Sequence, residues 1–277
     1  MRTPSTSGVA SRRRFLATTV AATSTLALGS ASNAAKAATS AKGKTFVLLH
    51  GAWHGAWCWK KLVPLLHAQG HSVYTPTQTG LGERSHLLSR DITIDTFVQD
   101  LVNVLEWEDL TDVVLVGHSF AGVPITGAAD RVPERIRHLV YLDSLIIENG
   151  QSPFDMLPPE AAAARRKLAQ ESSDGLSIPV PSPAAFNVTD AADAAWLEAK
   201  CTPHPLSTWE SPLQLKNPTV GNGLPATYVA VRPLYPTLGD VRAFAKAQKG
   251  WDYVELDAGH DAMVTSPEPL AELLLNI

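Results

Sequence analysis

Cysteine is scarce in this sequence. Its 277 residues hold two, Cys58 and Cys201. Two thiols make no disulfide framework, and without a CxxC or Cys/His ligand spacing they point away from a structural metal. Both are expected as buried free thiols. Charge is thin as well. Asp, Glu, Lys and Arg make up 18% of the chain, with 27 acidic against 23 basic residues and a net charge of -4. Beyond residue 14 there is no basic run, which argues against nucleic acid as a partner. Long apolar runs are missing too. Residues 17–28 come nearest, but Thr and Ser interrupt them and they are too short to span a bilayer, so no stable membrane anchor is expected. Residues 38–277 contain no internal repeat and no low-complexity segment.

The amino-terminal segment differs in composition. Ser11-Arg12-Arg13-Arg14-Phe15-Leu16 leads into the apolar stretch 17–28, and small residues follow up to Ala35-Lys36-Ala37. A charged head, a short apolar middle and an A-x-A exit form an export signal. Paired arginines before Phe-Leu match a twin-arginine signal. Residues 1–37 are therefore expected to be a leader that engages the twin-arginine export machinery of a bacterium. Residues 38–277 would be the exported form, periplasmic or secreted. The leader carries five of the 23 basic residues and no acid, so the remainder has 18 basic and 27 acidic residues, a balance of -9.

From Thr45 onward apolar runs of strand length alternate with amphipathic stretches. Strands are expected at 46–49, 73–74, 113–116, 136–142, 228–231 and 253–256. Helices are expected near 59–66, at 94–107, from Ser119 to about Arg131, around Phe244 and at 267–275. Alternation of this kind gives an α/β fold with a mostly parallel sheet covered on both faces. The rhythm breaks at about 145–223, a segment rich in Pro and Ala. Helices are expected there at 159–171 and 191–200, and no buried strand. Because strands of one sheet bracket this segment, it reads as an inserted helical cap rather than a separate domain.

Three short segments carry the chemistry. The strand 113–116 runs into Gly117-His118-Ser119-Phe120-Ala121-Gly122, and a helix follows. This is nearly a G-x-S-x-G elbow, with Ala121 in place of the second glycine. A turn that sharp exposes its central serine at a helix N-terminus, as a nucleophile requires. His50-Gly51-Ala52 follows the first strand, where a second oxyanion donor is needed. The Ala52 and Phe120 amides are the expected pair. His50 is expected to shape that loop, and Trp53 and Trp57 either line the pocket or pack. Ala258-Gly259-His260-Asp261 follows the last strand, the place for a general base, and His260 is the one histidine of nine located there. His118 is expected to pack beside the site without transferring a proton.

The segments 46–57 and Gly117-His118-Ser119, together with Gly259-His260-Asp261-Ala262-Met263, resemble one branch of the α/β-hydrolases. The branch includes plant methyl esterases, plant hydroxynitrile lyases and bacterial pyrethroid-hydrolase-like carboxylesterases. Residues 75–84 resemble the bacterial members in particular. The resemblance covers about 45–277 and implies an α/β-hydrolase fold, with no cofactor, acting on a small-molecule ester. Two departures qualify it. The lyases carry Thr where this chain has Gly51 or Ala52, and Lys directly after the histidine where this chain has Asp261, which disfavours cyanide release. Related enzymes also place an acid just after the strand 228–231, but this chain reads Arg232-Pro233-Leu234-Tyr235-Pro236. Asp143, at the end of the strand 136–142, is the expected alternative, with Asp240 and Asp261 behind it. The reading is a serine esterase that works through an acyl-enzyme. Cap aromatics Phe154, Phe186, Trp196 and Trp209 suggest an apolar acid or alcohol group. Amide or carbamate cleavage, a lyase reaction and a non-catalytic binding protein are the alternatives.

Overall fold

The computed structural model describes residues 43–235 and 238–277. The leader assigned to residues 1–37 lies outside them. Among the described residues six strands form one wholly parallel sheet. They are β1 (Thr45–Leu49), β2 (Ser72–Tyr74), β3 (Val113–His118), β4 (Ile136–Leu142), β7 (Ala226–Arg232) and β8 (Trp251–Asp257), in the order β2-β1-β3-β4-β7-β8. Parallel strands need crossovers, and helices on both faces bury them. All six residues of β3 are accordingly buried, as are Phe46, Val47, Leu48 and Leu49 of β1.

The helices follow from apolar spacing and from their end residues. A short α1 (Val63–Ala68) crosses from β1 to β2. The helix α2 (Ile94–Trp107) buries Ile94, Phe97, Val98, Leu101, Val102 and Leu105 on one stripe. A reciprocal box between Thr93 and Thr96 caps its start. The next helix, α3 (Gly122–Arg131), is rich in small residues and lies almost wholly in the core.

Between β4 and β7 no strand joins the main sheet among the described residues. This stretch holds α4 (Pro159–Ser173), α5 (Ala191–Lys200) and α6 (Leu206–Glu210). It also holds a buried antiparallel pair, β5 (Ser177–Ile178) with β6 (His204–Pro205). The sequence reading expected no buried strand there. Two residues on each side are too few to leave a periodic signal. The chain then closes with α7 (Gly239–Ala247), the single turn α8 (Ala262–Thr265) and α9 (Pro267–Leu275).

Strand order and register set the site. From β1 the chain goes first to β2 on one side and then to β3 on the other, so the order reverses between β1 and β3. In open parallel sheets ligands bind beyond the strand C-termini at such a reversal. Leu49 pairs with Gly117, and His118 pairs with Leu142. Continued past the strand ends, that register puts Gly51, Ser119 and Asp143 level on three adjacent strands about 4.8 Å apart.

Candidate active site

Ser119 lies where β3 gives way to α3, in a tight turn at Ser119–Ala121. Its φ is +54°, a left-handed conformation that costs a non-glycine residue about 1–3 kcal/mol. The surroundings are correspondingly close. A Cβ on Gly117 would stand 2.8 Å from the Ala121 carbonyl oxygen, and one on Gly122 only 2.0 Å from that of Leu145. The turn thus tolerates Ala121 because its tightest contact falls one residue later, at Gly122.

His260 bridges to Ser119 and Asp143. Its Nε2 lies 2.8 Å from Ser119 Oγ, and its Nδ1 lies 2.7 Å from Asp143 Oδ2. A carboxylate only accepts, so Nδ1 carries the proton and Nε2 is free to accept from the serine hydroxyl. Asp143 is fully buried, and its other oxygen accepts from Arg242 Nη2 at 2.7 Å. Burial would raise its pKa, but His260 and Arg242 outweigh this and hold it below the ordinary 3.8. The other candidate acids lie elsewhere. Asp240 is exposed on α7, and Asp261 turns toward His54. Arg232, at the position where an acid is usual, is exposed and paired with Glu255 and Asp257.

The turn after β1 meets the serine directly. A Cβ on Gly51 would stand 2.9 Å from Ser119 Cβ and 3.0 Å from His118 Nδ1, so only glycine fits. The Ala52 N–H donates to no backbone carbonyl or side chain among the described residues. The Phe120 N–H belongs to the first turn after the elbow, where amides lack an intrahelical partner. His50 holds the loop. Its Nδ1 donates to the Gly51 carbonyl at 2.8 Å, and its Nε2 accepts from the Gln78 amide at 3.1 Å. Burial lowers its pKa to about 3, so it stays neutral.

A second His–Asp pair lies behind the first. His54 Nε2 donates to Asp261 Oδ2 at 3.0 Å, and its Nδ1 donates to the Ala52 carbonyl at 2.7 Å. Both acceptors lack hydrogens, so both ring nitrogens are protonated and His54 is an imidazolium. Burial alone would lower its pKa, but Asp261 and the Ala52 carbonyl reverse this and raise it above 6.5. His118 is neutral, its pKa lowered to about 3 chiefly by burial and then by His260. Its Nε2 donates to the His260 carbonyl at 2.9 Å, which fixes the histidine turn.

The cavity beside Ser119 is lined mainly by Ala52, Trp53, Leu145, Arg165, Trp209 and Tyr235. Of the four cap aromatics expected there, only Trp209 lines it. Phe154 packs behind Trp209, Phe186 against Trp53 and His54, and Trp196 against Trp57 outside the cavity. Composition identifies aromatics but not the direction they face. Trp53 lines the cavity and Trp57 packs, so each alternative holds for one of them. The ring of Tyr235 stacks on that of His260, with centroids 4.0 Å apart. A larger hollow of about 660 Å³, around Tyr253 and Leu273, includes none of these residues. Both cysteines are free thiols.

Four contributors escaped the sequence reading: Arg242, His54, Tyr235 and Arg165. Arg242 left a trace, since Leu238, Val241 and Ala245 form a buried stripe and Arg242 falls in phase with it. A cation on an apolar stripe calls for a buried partner. The other three left none.

Comparison with known proteins agrees with this fold. Residues 46–273 match the model of the Alpha/beta hydrolase family. A carbendazim hydrolyzing esterase of Nocardioides sp. (strain SG-4G) is 40% identical over 246 residues, covering 83% of this chain and 97% of that protein. A putative chloroplastic methylesterase 14 of Arabidopsis thaliana is 35% identical over 128 residues, covering 46% of this chain and 37% of its own length. Among solved structures, an extracellular alpha/beta-hydrolase from a Paenibacillus species superposes with a TM-score of 0.73 at 27% identity, covering 84% of this chain and 98% of that one. With a parallel sheet that turns sharply at Ser119 and a family match across nearly all the described residues, this chain belongs to the alpha/beta hydrolase family.

Proposed function

We propose that this protein hydrolyses a carboxylic ester of a small molecule through an acyl-enzyme. Ser119 Oγ attacks the ester carbonyl while His260 Nε2 takes its proton. Asp143 holds the imidazole in the required tautomer and stabilises the imidazolium that forms. The Ala52 and Phe120 amides receive the oxyanion. His260 then returns the proton to the leaving alcohol, and a water deprotonated by the same nitrogen releases the acid. The observation that carries the reading is the unbroken hydrogen-bonded run Asp143–His260–Ser119, at 2.7 and 2.8 Å. Esterases among its relatives support the choice of reaction.

In this reading residues 145–223 form a cap over the site, and the Trp53, Leu145, Leu157 and Trp209 side chains of the cavity wall receive an apolar acid or alcohol group. Residues 1–37 act as a twin-arginine leader, and the protein works outside the cytoplasm. The test is a panel of p-nitrophenyl esters together with fluorophosphonate labelling. The wild type should be labelled at Ser119 and turn over short esters. Ser119→Ala should lose labelling and several orders of magnitude of kcat, on the order of 10⁶. Near-wild-type activity in Ser119→Ala would remove the nucleophile assignment.

A further inference from the structure

Arg165 is the charged side chain in the wall of the Ser119 cavity. It projects from α4, the first long helix of the cap segment. Its guanidinium carbon lies 4.4 Å from the centre of the Trp209 ring and 6.0 Å from that of Trp53. Its Nη1 is buried and has no hydrogen-bond partner among the described residues. No carboxylate lies within 4.0 Å of it among the described residues, whereas its neighbour Arg166 pairs with Glu210 at 2.8 Å. Arg165 as a whole is half-buried, and a guanidinium nitrogen withdrawn from water is normally matched by an acceptor. The face of Trp209 offsets part of the cost of burial, but a ring face satisfies no N–H.

We infer that Arg165 receives a carboxylate carried by the substrate, so that the preferred ester has an apolar body, a scissile carbonyl at Ser119 and a free acid group at its far end. This deepens the ester-hydrolase reading and rests on it. A planar carboxylate suits a guanidinium because two parallel N–H···O bonds can form. The remaining walls, Trp53, Leu145, Trp209 and Tyr235, contact the body between. The cavity measures about 20 Å³, room for a single water. An ester therefore enters only when the side chains of this wall rearrange.

The test compares monomethyl adipate and monomethyl terephthalate with analogues in which the free acid is a carboxamide. Methanol release gives kcat/KM, and p-nitrophenyl butyrate serves as a general ester. The wild type should favour each acid over its amide by at least about tenfold, the scale of one charge-assisted hydrogen bond. Arg165→Gln should bring that ratio to about one or below, and Arg165→Lys should keep part of it. Thermal melting of both variants controls for folding, and the lysine variant carries the test if the glutamine variant does not fold. Terephthalate should likewise inhibit p-nitrophenyl butyrate hydrolysis with a Ki that rises about tenfold or more in Arg165→Gln. If p-nitrophenyl butyrate is hydrolysed but acid and amide are equivalent, or the ratio survives in Arg165→Gln, the role of Arg165 is overturned. If no ester is turned over and fluorophosphonate does not label, the ester-hydrolase reading itself falls, and this inference with it.

Discussion

Replacing Asp143 by Asn tests the acid with little change of shape. Asp143 accepts twice, from His260 Nδ1 and from Arg242 Nη2, each at 2.7 Å. Asparagine has one acceptor oxygen and one donor NH₂. Arg242 can only donate, so it claims the oxygen, and the NH₂ is left facing His260 Nδ1. The imidazole then moves its proton to Nε2 and points an N–H at Ser119, where an acceptor is needed. A base in the wrong tautomer costs about 10⁴ in kcat in triads of this kind, or about 5 kcal/mol of transition-state stabilisation. The assay is steady-state hydrolysis of p-nitrophenyl butyrate, with melting curves as control. The double variant Asp143→Asn with Arg242→Met removes the competitor for the amide oxygen. It should recover at least about tenfold over Asp143→Asn alone, the worth of one restored hydrogen bond. Asp240→Asn, on the exposed side of α7, should change little. If Asp143→Asn keeps more than a tenth of wild-type kcat, or the double variant is no better than the single, the tautomer argument is wrong.

Gly51→Ala should cut kcat at least tenfold and cost about 1–3 kcal/mol of stability, because its Cβ would meet Ser119 and His118 at 2.9 and 3.0 Å; matching kinetics and melting temperatures would contradict this. His54→Gln leaves Asp261 buried without its cation, a loss of about 3–5 kcal/mol. The pKa of His54 is raised above 6.5, so its contribution is full below pH 6.5 and fades as pH rises through the folded-state value. Asp261 is lowered from 3.8, so its contribution is full above pH 3.8 and is lost as pH falls through its folded-state value. The difference in denaturation free energy between wild type and His54→Gln should therefore be largest between about pH 4 and 6.5 and shrink above it; a gap independent of pH would mean that His54 is neutral. The exported protein should begin near Ala38, and changing Arg12, Arg13 and Arg14 together to Lys should retain it inside. Intact mass of the exported fraction decides, and the full 277 residues there would refute the leader.

Much of this molecule was legible in its sequence because its signals are local. Apolar spacing marked α2 at its observed bounds, and α5, α9 and β4 also fall at the bounds expected for them. Small residues around Ser119 marked a sharp turn, and a strand ending in Asp143 beside the serine strand suggested where an acid could stand. What escaped depends on contacts across the chain. Arg242 meets Asp143 over 99 positions, and His54 meets Asp261 over 207. Spacing carries no information at that range. The direction of a side chain was equally hidden, which is why Trp209 faces the cavity and Trp196 does not.

His54 acts as a crossbar. One nitrogen grips the turn that presents the Ala52 amide, and the other grips the residue next to His260. Two loops from separate strands, β1 and β8, are thus held at a set spacing by one charged ring instead of by the sheet alone. Slack introduced on either side travels to the other through that ring. Substitutions in the first loop and in the last should therefore damage turnover together less than the sum of their separate effects, since the second finds the spacing already lost.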